Sequence, residues 1–156
     1  MVQGNPHQNN HTAVFLAAGF EEEPVVSLLC QLRDAGLPVS LIGLSSQPLT
    51  GNYGVTLCPD EILTDLPKDA TFHLIVIPGN GRSVQSLLVS PHFHRLLKNT
   101  LAEDGCVAAL DTAVPALEAA GIPRYAANPN HYIRQNHTPL NDFITRLTHL
   151  TQDPNP

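Results

Sequence analysis

Short apolar runs alternate along this chain with stretches whose apolar positions recur every three or four residues. The runs at 13–18 (AVFLAA), 38–44 (PVSLIGL), 72–79 (FHLIVIPG) and 106–110 (CVAAL) are apolar at successive positions. That is the pattern of strands covered on both faces rather than half exposed. A weaker run at 53–58 (YGVTLC) and two short ones at 124–128 (RYAAN) and 131–134 (HYIR) predict minor strands. The stretch 22–36 (EEPVVSLLCQLRDAG) reads as a helix with Pro24 in its first turn and Gly36 just past its end, where a missing N–H and a left-handed residue are each tolerated. Further helical periods lie at 83–89, 91–104, 112–121 and 138–150. The alternation predicts an α/β fold: a flavodoxin-like, doubly wound, mainly parallel sheet with helices on both faces. Sheets of this kind place their sites at the carboxyl ends of the strands.

The ends break the pattern. Residues 1–12 are polar and Asn-rich and 151–156 carry two prolines, so both are expected to be disordered, with 13–150 as a single domain. A chain of 156 residues suits one core. Its charged fraction of 14% is low and its 14 prolines are many, which points to a well-buried domain with stiff loops. The net charge of −6 and the absence of basic stripes argue against nucleic acid. No apolar run approaches the roughly 20 residues of a membrane span, and the first residues lack the order of a signal peptide, so a cytoplasmic protein is expected. Cys30, Cys58 and Cys106 have no CxxC spacing, so buried, unpaired thiols are expected rather than a disulfide frame or zinc site.

Three loops leave strong strands at the carboxyl edge: AAGFEEEP (17–24), PGNGRS (78–83) and LDTAVP (110–115). The second lacks the spacing of a nucleotide loop. The third puts Asp111 at an abrupt strand-to-helix turn. It could be a nucleophile, needing a base and oxyanion donors among Gly79, Asn80 and the Thr112 amide. It could instead be a fixed anion capping the next helix, the plainer reading, or a permanent mimic of an oxidised cysteine. Glu21, Glu22 and Glu23 form the one acidic run; they could serve as a proton donor of raised pKa or as cation ligands, while the plainer reading is a helix's first turn. His92 and His94, two apart on a helix, point about 200° away from each other and cannot share a metal, so surface histidines are expected. His137 is a loop histidine that could reach Asp111 as an acid–base partner. Nothing in the pattern calls for a metal or a cofactor.

The order and spacing of these motifs resemble the ThiJ/PfpI family of the class I glutamine-amidotransferase-like superfamily, which includes the parkinsonism-associated deglycase and intracellular-protease-like proteins. The stretches VFLAAGFEEEPVVSLLCQLRDAGLPVSLIGL, VTLCPDEILTDL, FHLIVIPGNG, GCVAALDTAVPALEAAGI and RQNHTPLNDFI carry the likeness across nearly all of 13–150. The resemblance implies a shortened sandwich of that family's type. It also implies that the family's elbow cysteine is replaced by Asp111, its glutamate by Pro24 with Glu23 beside it, its histidine by Asn128, and the Gly-Gly of its oxyanion loop by Gly79-Asn80. Cys58 matches a family cysteine near a dimer contact, so a homodimer is implied. Only 129–133 separate Asn128 from Arg134, where family members place a β-hairpin of some two dozen residues, so one wall of the pocket is expected to be missing or rebuilt.

These replacements lead to the expectation of a non-catalytic family member, a pseudoenzyme serving as a binding, regulatory or stress-related partner of a protein or small metabolite. The candidate ligand residues are Gly79, Asn80, Asp111 and Thr112. One alternative is a hydrolase or lyase using Asp111 with Glu22, Glu23 or His137; another is a small-metabolite sensor.

Overall fold

The strand β1 (Thr12–Phe15) shows why the runs look continuously apolar: Ala13 and Phe15 enter one buried cluster while Val14 enters another on the opposite face. The computed structural model describes residues 11–152. After β1 come α1 (Glu22–Asp34), β2 (Val39–Gly43), an antiparallel hairpin of β3 (Leu49–Thr50) and β4 (Thr56–Leu57), and β5 (Glu61–Ile62). There follow β6 (Leu74–Ile77), α2 (Gly81–Leu88), α3 (Pro91–Ala102), β7 (Cys106–Ala109), α4 (Val114–Ala119), β8 (Tyr132–Arg134) and α5 (Leu140–Gln152). Six strands form one sheet in the order β5-β2-β1-β6-β7-β8, with every neighbouring pair parallel. This is the flavodoxin-like α/β fold expected from the pattern.

Helices α1 and α5 cover one face through Val25, Leu28, Leu32, Phe143, Ile144 and Leu147; α2, α3 and α4 cover the other through Val84, Leu87, Phe93, Leu97 and Leu117. The chain leaves β1 for β2 on one side and later returns to β6 on the other. Helices after β1 and β6 therefore lie on opposite faces, and their first turns diverge to open a crevice at the strand ends.

Several boundaries differ from expectation. Thr12 is no part of a leader: it is buried in β1 and its N–H bonds Pro38 O at 3.0 Å. Helix α5 runs through 151 and 152, and Thr151 is buried with its hydroxyl on Leu147 O at 3.2 Å. The expectations for 1–10 and 153–156 lie outside the described residues. The run at 124–128 is not a strand. Gly121 turns left-handed (φ 78°) after α4, and Pro123, whose ring fixes a helical φ, starts a 3-10 turn at Ile122–Tyr125. The run at 53–58 supplies β4 of the separate hairpin rather than a sheet strand, and β5 is too short to show a period.

Cys30 and Cys58 are exposed rather than buried, and only Cys106 is half-buried. Cys30 lies about 200° round α1 from the buried Leu28 and so falls on the polar face. Burial pushes the Cys106 thiol pKa up, which keeps it protonated. His94 is not a surface histidine: its Nε2 lies 2.7 Å from Leu88 O and its Nδ1 2.7 Å from the Tyr125 hydroxyl, so it pins the α2–α3 turn to the 3-10 turn. Among the described residues no three His, Cys, Asp or Glu side chains gather as a metal site, and no helix is long and apolar enough to cross a membrane.

Candidate functional site

At the carboxyl ends of β1 and β7 lies a cleft of about 600 Å3, lined by Glu21, Glu23, Pro24, Tyr53, Asp111, Thr112 and Gln135 among others. It brings together the acidic loop, the turn after β7 and the loop after β8, as the strand order requires.

Asp111 sits at the turn but does not cap α4. The Leu110 carbonyl already accepts the N–H groups of Ala113 (2.9 Å) and Val114 (3.2 Å), and the helix cap falls on Ala113, which has no side chain to bond. Relieved of that role, the carboxylate turns to the loop after β8, where both of its oxygens accept the His137 backbone N–H at 3.1 Å. The His137 ring, 91% exposed, keeps Nδ1 3.6 Å from Asp111 Oδ2, beyond hydrogen-bond length.

The same loop is latched by a residue the motif reading passed over. Gln135 Oε1 accepts the Asp111 N–H at 2.9 Å, and its Nε2 donates to Thr138 O at 2.8 Å. Between them Asn136 (φ 54°) and His137 (φ 62°) are both left-handed, a conformation costing roughly 1–2 kcal/mol at each non-glycine residue. No local pattern marks Gln135, because its partner is 24 positions away.

The four expected ligand residues divide. Asp111 and Thr112 line the cleft, whereas Gly79 and Asn80 are not part of its lining. Thr112 Oγ1 donates to Gly79 O at 2.7 Å, joining the turns after β6 and β7. Asn80 Oδ1 caps α2 by accepting the Ser83 N–H at 3.1 Å, and Nδ2 donates to Gly19 O at 2.7 Å. Its side chain is thus committed to holding loops together.

The three glutamates also separate. Glu22 is 7% exposed and its Oε2 accepts the N–H groups of Tyr53 (2.6 Å) and Val55 (3.2 Å) in the β3–β4 turn. Gly51 makes this possible, since a β-carbon there would lie 2.5 Å from the Glu22 carboxyl carbon. Burial opposes ionisation of Glu22, but backbone N–H donors outweigh it and hold its pKa below the ordinary 4.5. Such a group adds stability that is fully present above the unfolded pKa and is lost as pH falls through the lowered native value. Glu22→Gln is therefore expected to lower the melting temperature at pH 7 and to flatten its decline below pH 4.5. Parallel melting curves for the two proteins from pH 7 to pH 3 would overturn this role. Glu23 is exposed at the cleft rim. Glu21, half-buried beside it, has its pKa raised by burial. Its signal was the acidic run itself, read without knowing which of three carboxyls the turn would bury.

The positions matching the family's other two residues carry no catalytic groups in place. Pro24 occupies the first turn of α1, and exposed Asn128 caps the 3-10 turn Pro129–His131 through Asn130 N at 2.9 Å.

A sequence model of the DJ-1/PfpI family matches residues 10–134. The chain belongs to the DJ-1/PfpI family. Over 110 residues it is 34% identical to the Parkinson disease protein 7 homolog of Danio rerio, covering 70% of this chain and 58% of that protein. Over 102 residues it is 34% identical to the glutathione-independent glyoxalase DJR-1.2 of Caenorhabditis elegans, covering 65% of this chain and 54% of that one. This DJ-1/PfpI chain thus spans little more than half the length of these relatives. Among solved structures, oxidised DJ-1 of Toxoplasma gondii superposes with a TM-score of 0.75 at 17% identity, covering 92% of this chain and 94% of that one. Drosophila melanogaster DJ-1beta gives 0.73 at 20% identity, covering 94% and 95%. At those identities the likeness speaks for the DJ-1/PfpI fold.

Proposed function

We propose that this DJ-1/PfpI domain binds a small polar metabolite in the strand-end cleft without turning it over, and serves as a binding or regulatory partner. The observation that carries this reading is the environment of Asp111. Both carboxylate oxygens accept one backbone N–H, and no side-chain acid or base stands within hydrogen-bond distance. A nucleophile or general base at work needs a neighbouring group to relay its proton; here Glu22 clamps the hairpin through Oε2 and Asn80 holds the loops, so neither is placed to serve Asp111. The cleft wall that remains is acidic, with Glu21, Glu23 and Asp111, and suits a ligand bearing ammonium or hydroxyl groups.

One observation favours a second reading, a hydrolase or lyase: Glu21, whose pKa is raised by burial, lines the same cleft as Asp111. A carboxyl whose pKa is raised holds its proton to higher pH than a free one, the direction a general acid requires. The two readings separate in a methylglyoxal consumption assay, chosen because one relative is named a glyoxalase. The binding reading expects no turnover above the uncatalysed rate from the wild-type chain. Turnover above that rate overturns it, and loss of that turnover in Asp111→Asn, which keeps an acceptor for the His137 N–H, would assign the chemistry to Asp111.

A further inference from the structure

On the far side of the molecule from β5, the sheet ends at β8, which pairs with β7 alone among the described residues. The Gln135 N–H bonds Ala109 O at 2.9 Å, and in a parallel ladder one residue directs both its N–H and its C=O to the same neighbour. Ile133 and Gln135 thus face β7, while Arg134 turns its backbone N–H and C=O outward; at Tyr132 only the C=O is open, because its N–H closes the 3-10 turn on Pro129 O. An open edge of this kind is a template for another extended chain. Beside it runs a groove of about 850 Å3 between β8 and α5. From α5 it is lined by Asp142, Thr145, Arg146 and His149, spaced as one helical stripe, and from β8 by Tyr132 and Arg134.

The charge of this groove opposes that of the whole chain. The protein carries −6 with its histidines neutral, yet the groove lining holds two arginines against one aspartate. Arg134 is 53% exposed and is held only by a 3.8 Å contact with Glu118. Arg146 reaches no carboxylate among the described residues, although Asp142 lies one turn before it. A second copy of this chain brought edge to edge would set arginines against arginines, which disfavours self-pairing. We infer that β8 and its groove accept an extended acidic segment of a partner protein, which adds to the sheet edge through the Tyr132 C=O and the Arg134 N–H and C=O while its carboxylates meet Arg134 and Arg146.

The test uses the full chain, labelled with 15N, and an acetylated and amidated peptide of about eight residues alternating glutamate with threonine, a length that spans β8 with overhang. The expected result is saturable binding, with an amide shift at Arg134 larger than at Ile133, and affinity reduced about tenfold or more by Arg134→Glu combined with Arg146→Glu. Arg146→Glu alone, at an exposed helical position, should weaken binding without altering the melting temperature. The proposal is overturned if the peptide fails to bind at about 1 mM. It is also overturned if a lysine–threonine peptide binds as well, or if the arginine variants bind undiminished. A concentration-dependent shift at the Arg134 amide without peptide would mean that a second copy occupies the edge, and would overturn it too.

Discussion

Phe93→Ala is expected to remove about 3–5 kcal/mol of stability, a large part of the roughly 5–15 kcal/mol that holds a domain of this size together. Phe93 has no exposed surface. Its ring meets that of Phe15 on β1 edge-on, with centroids 5.0 Å apart and planes at 81°. It therefore joins α3 directly to a central strand, and its removal leaves a cavity that the rigid sheet cannot close. The geometric term is lost with the area, because edge-to-face pairs add about 0.5–1.5 kcal/mol beyond burial. The neighbouring His94 cannot follow the collapse, since its two nitrogens are already engaged by Leu88 O and the Tyr125 hydroxyl. Urea unfolding should show a much lower midpoint with an unchanged slope. A loss under about 1.5 kcal/mol would mean that α3 relaxes into the space and is not tied to β1 in the way described. Phe93→Leu, which keeps most of the volume, should lose less than half as much.

The fold was legible because its strongest signals are periodic and local. A parallel strand covered on both faces must be apolar at successive positions, and β1, β2, β6 and β7 were visible for that reason. What escaped notice had no period: β5, with two residues, and the 3-10 turn at Ile122–Tyr125, where Tyr125 and Ala126 looked strand-like until Pro123 fixed the backbone. The site was legible as a place and much less as a set of partners. Topology brought Glu21, Asp111 and the loop after β8 to one cleft, whereas the PGNGRS loop, expected to converge there, stays outside its lining. Which acid would be spent and which left free was decided by contacts 24 to 33 residues away in sequence. Glu22 looked like a candidate acid because it lies in a charged run; Gly51 and the Tyr53 and Val55 amides turned it into a clamp. Asp111 looked like a helix cap because aspartate before a helix usually is one. The Leu110 carbonyl took that task, and nothing near Asp111 in the sequence shows that His137 would take the carboxylate instead.

That exchange sets the effect of removing Asp111. Asp111→Ala withdraws a charged acceptor from the His137 N–H, a bond class contributing about 1.5–3 kcal/mol when unscreened and less at a carboxylate that is 32% exposed. It also releases a loop that is strained on its own account, because Asn136 and His137 both hold left-handed backbone without being glycine. Gln135 remains on the Asp111 N–H and on Thr138 O, so the loop should loosen without taking the sheet with it. Hydrogen exchange is the measurement that sees this. The His137 amide should exchange about tenfold faster or more, corresponding to roughly 1.4 kcal/mol of lost local protection, while the amides of β6 and β7 keep their rates. Asp111→Asn retains one acceptor oxygen and should fall between. Adding His137→Gly to Asp111→Ala should restore about 1 kcal/mol by removing the left-handed penalty at that residue. If Asp111→Ala leaves the His137 amide protected, the carboxylate is not what holds the loop. The case for Asp111 as a structural anchor at the strand-to-helix turn would then fall, and the reading that gives it chemistry would gain.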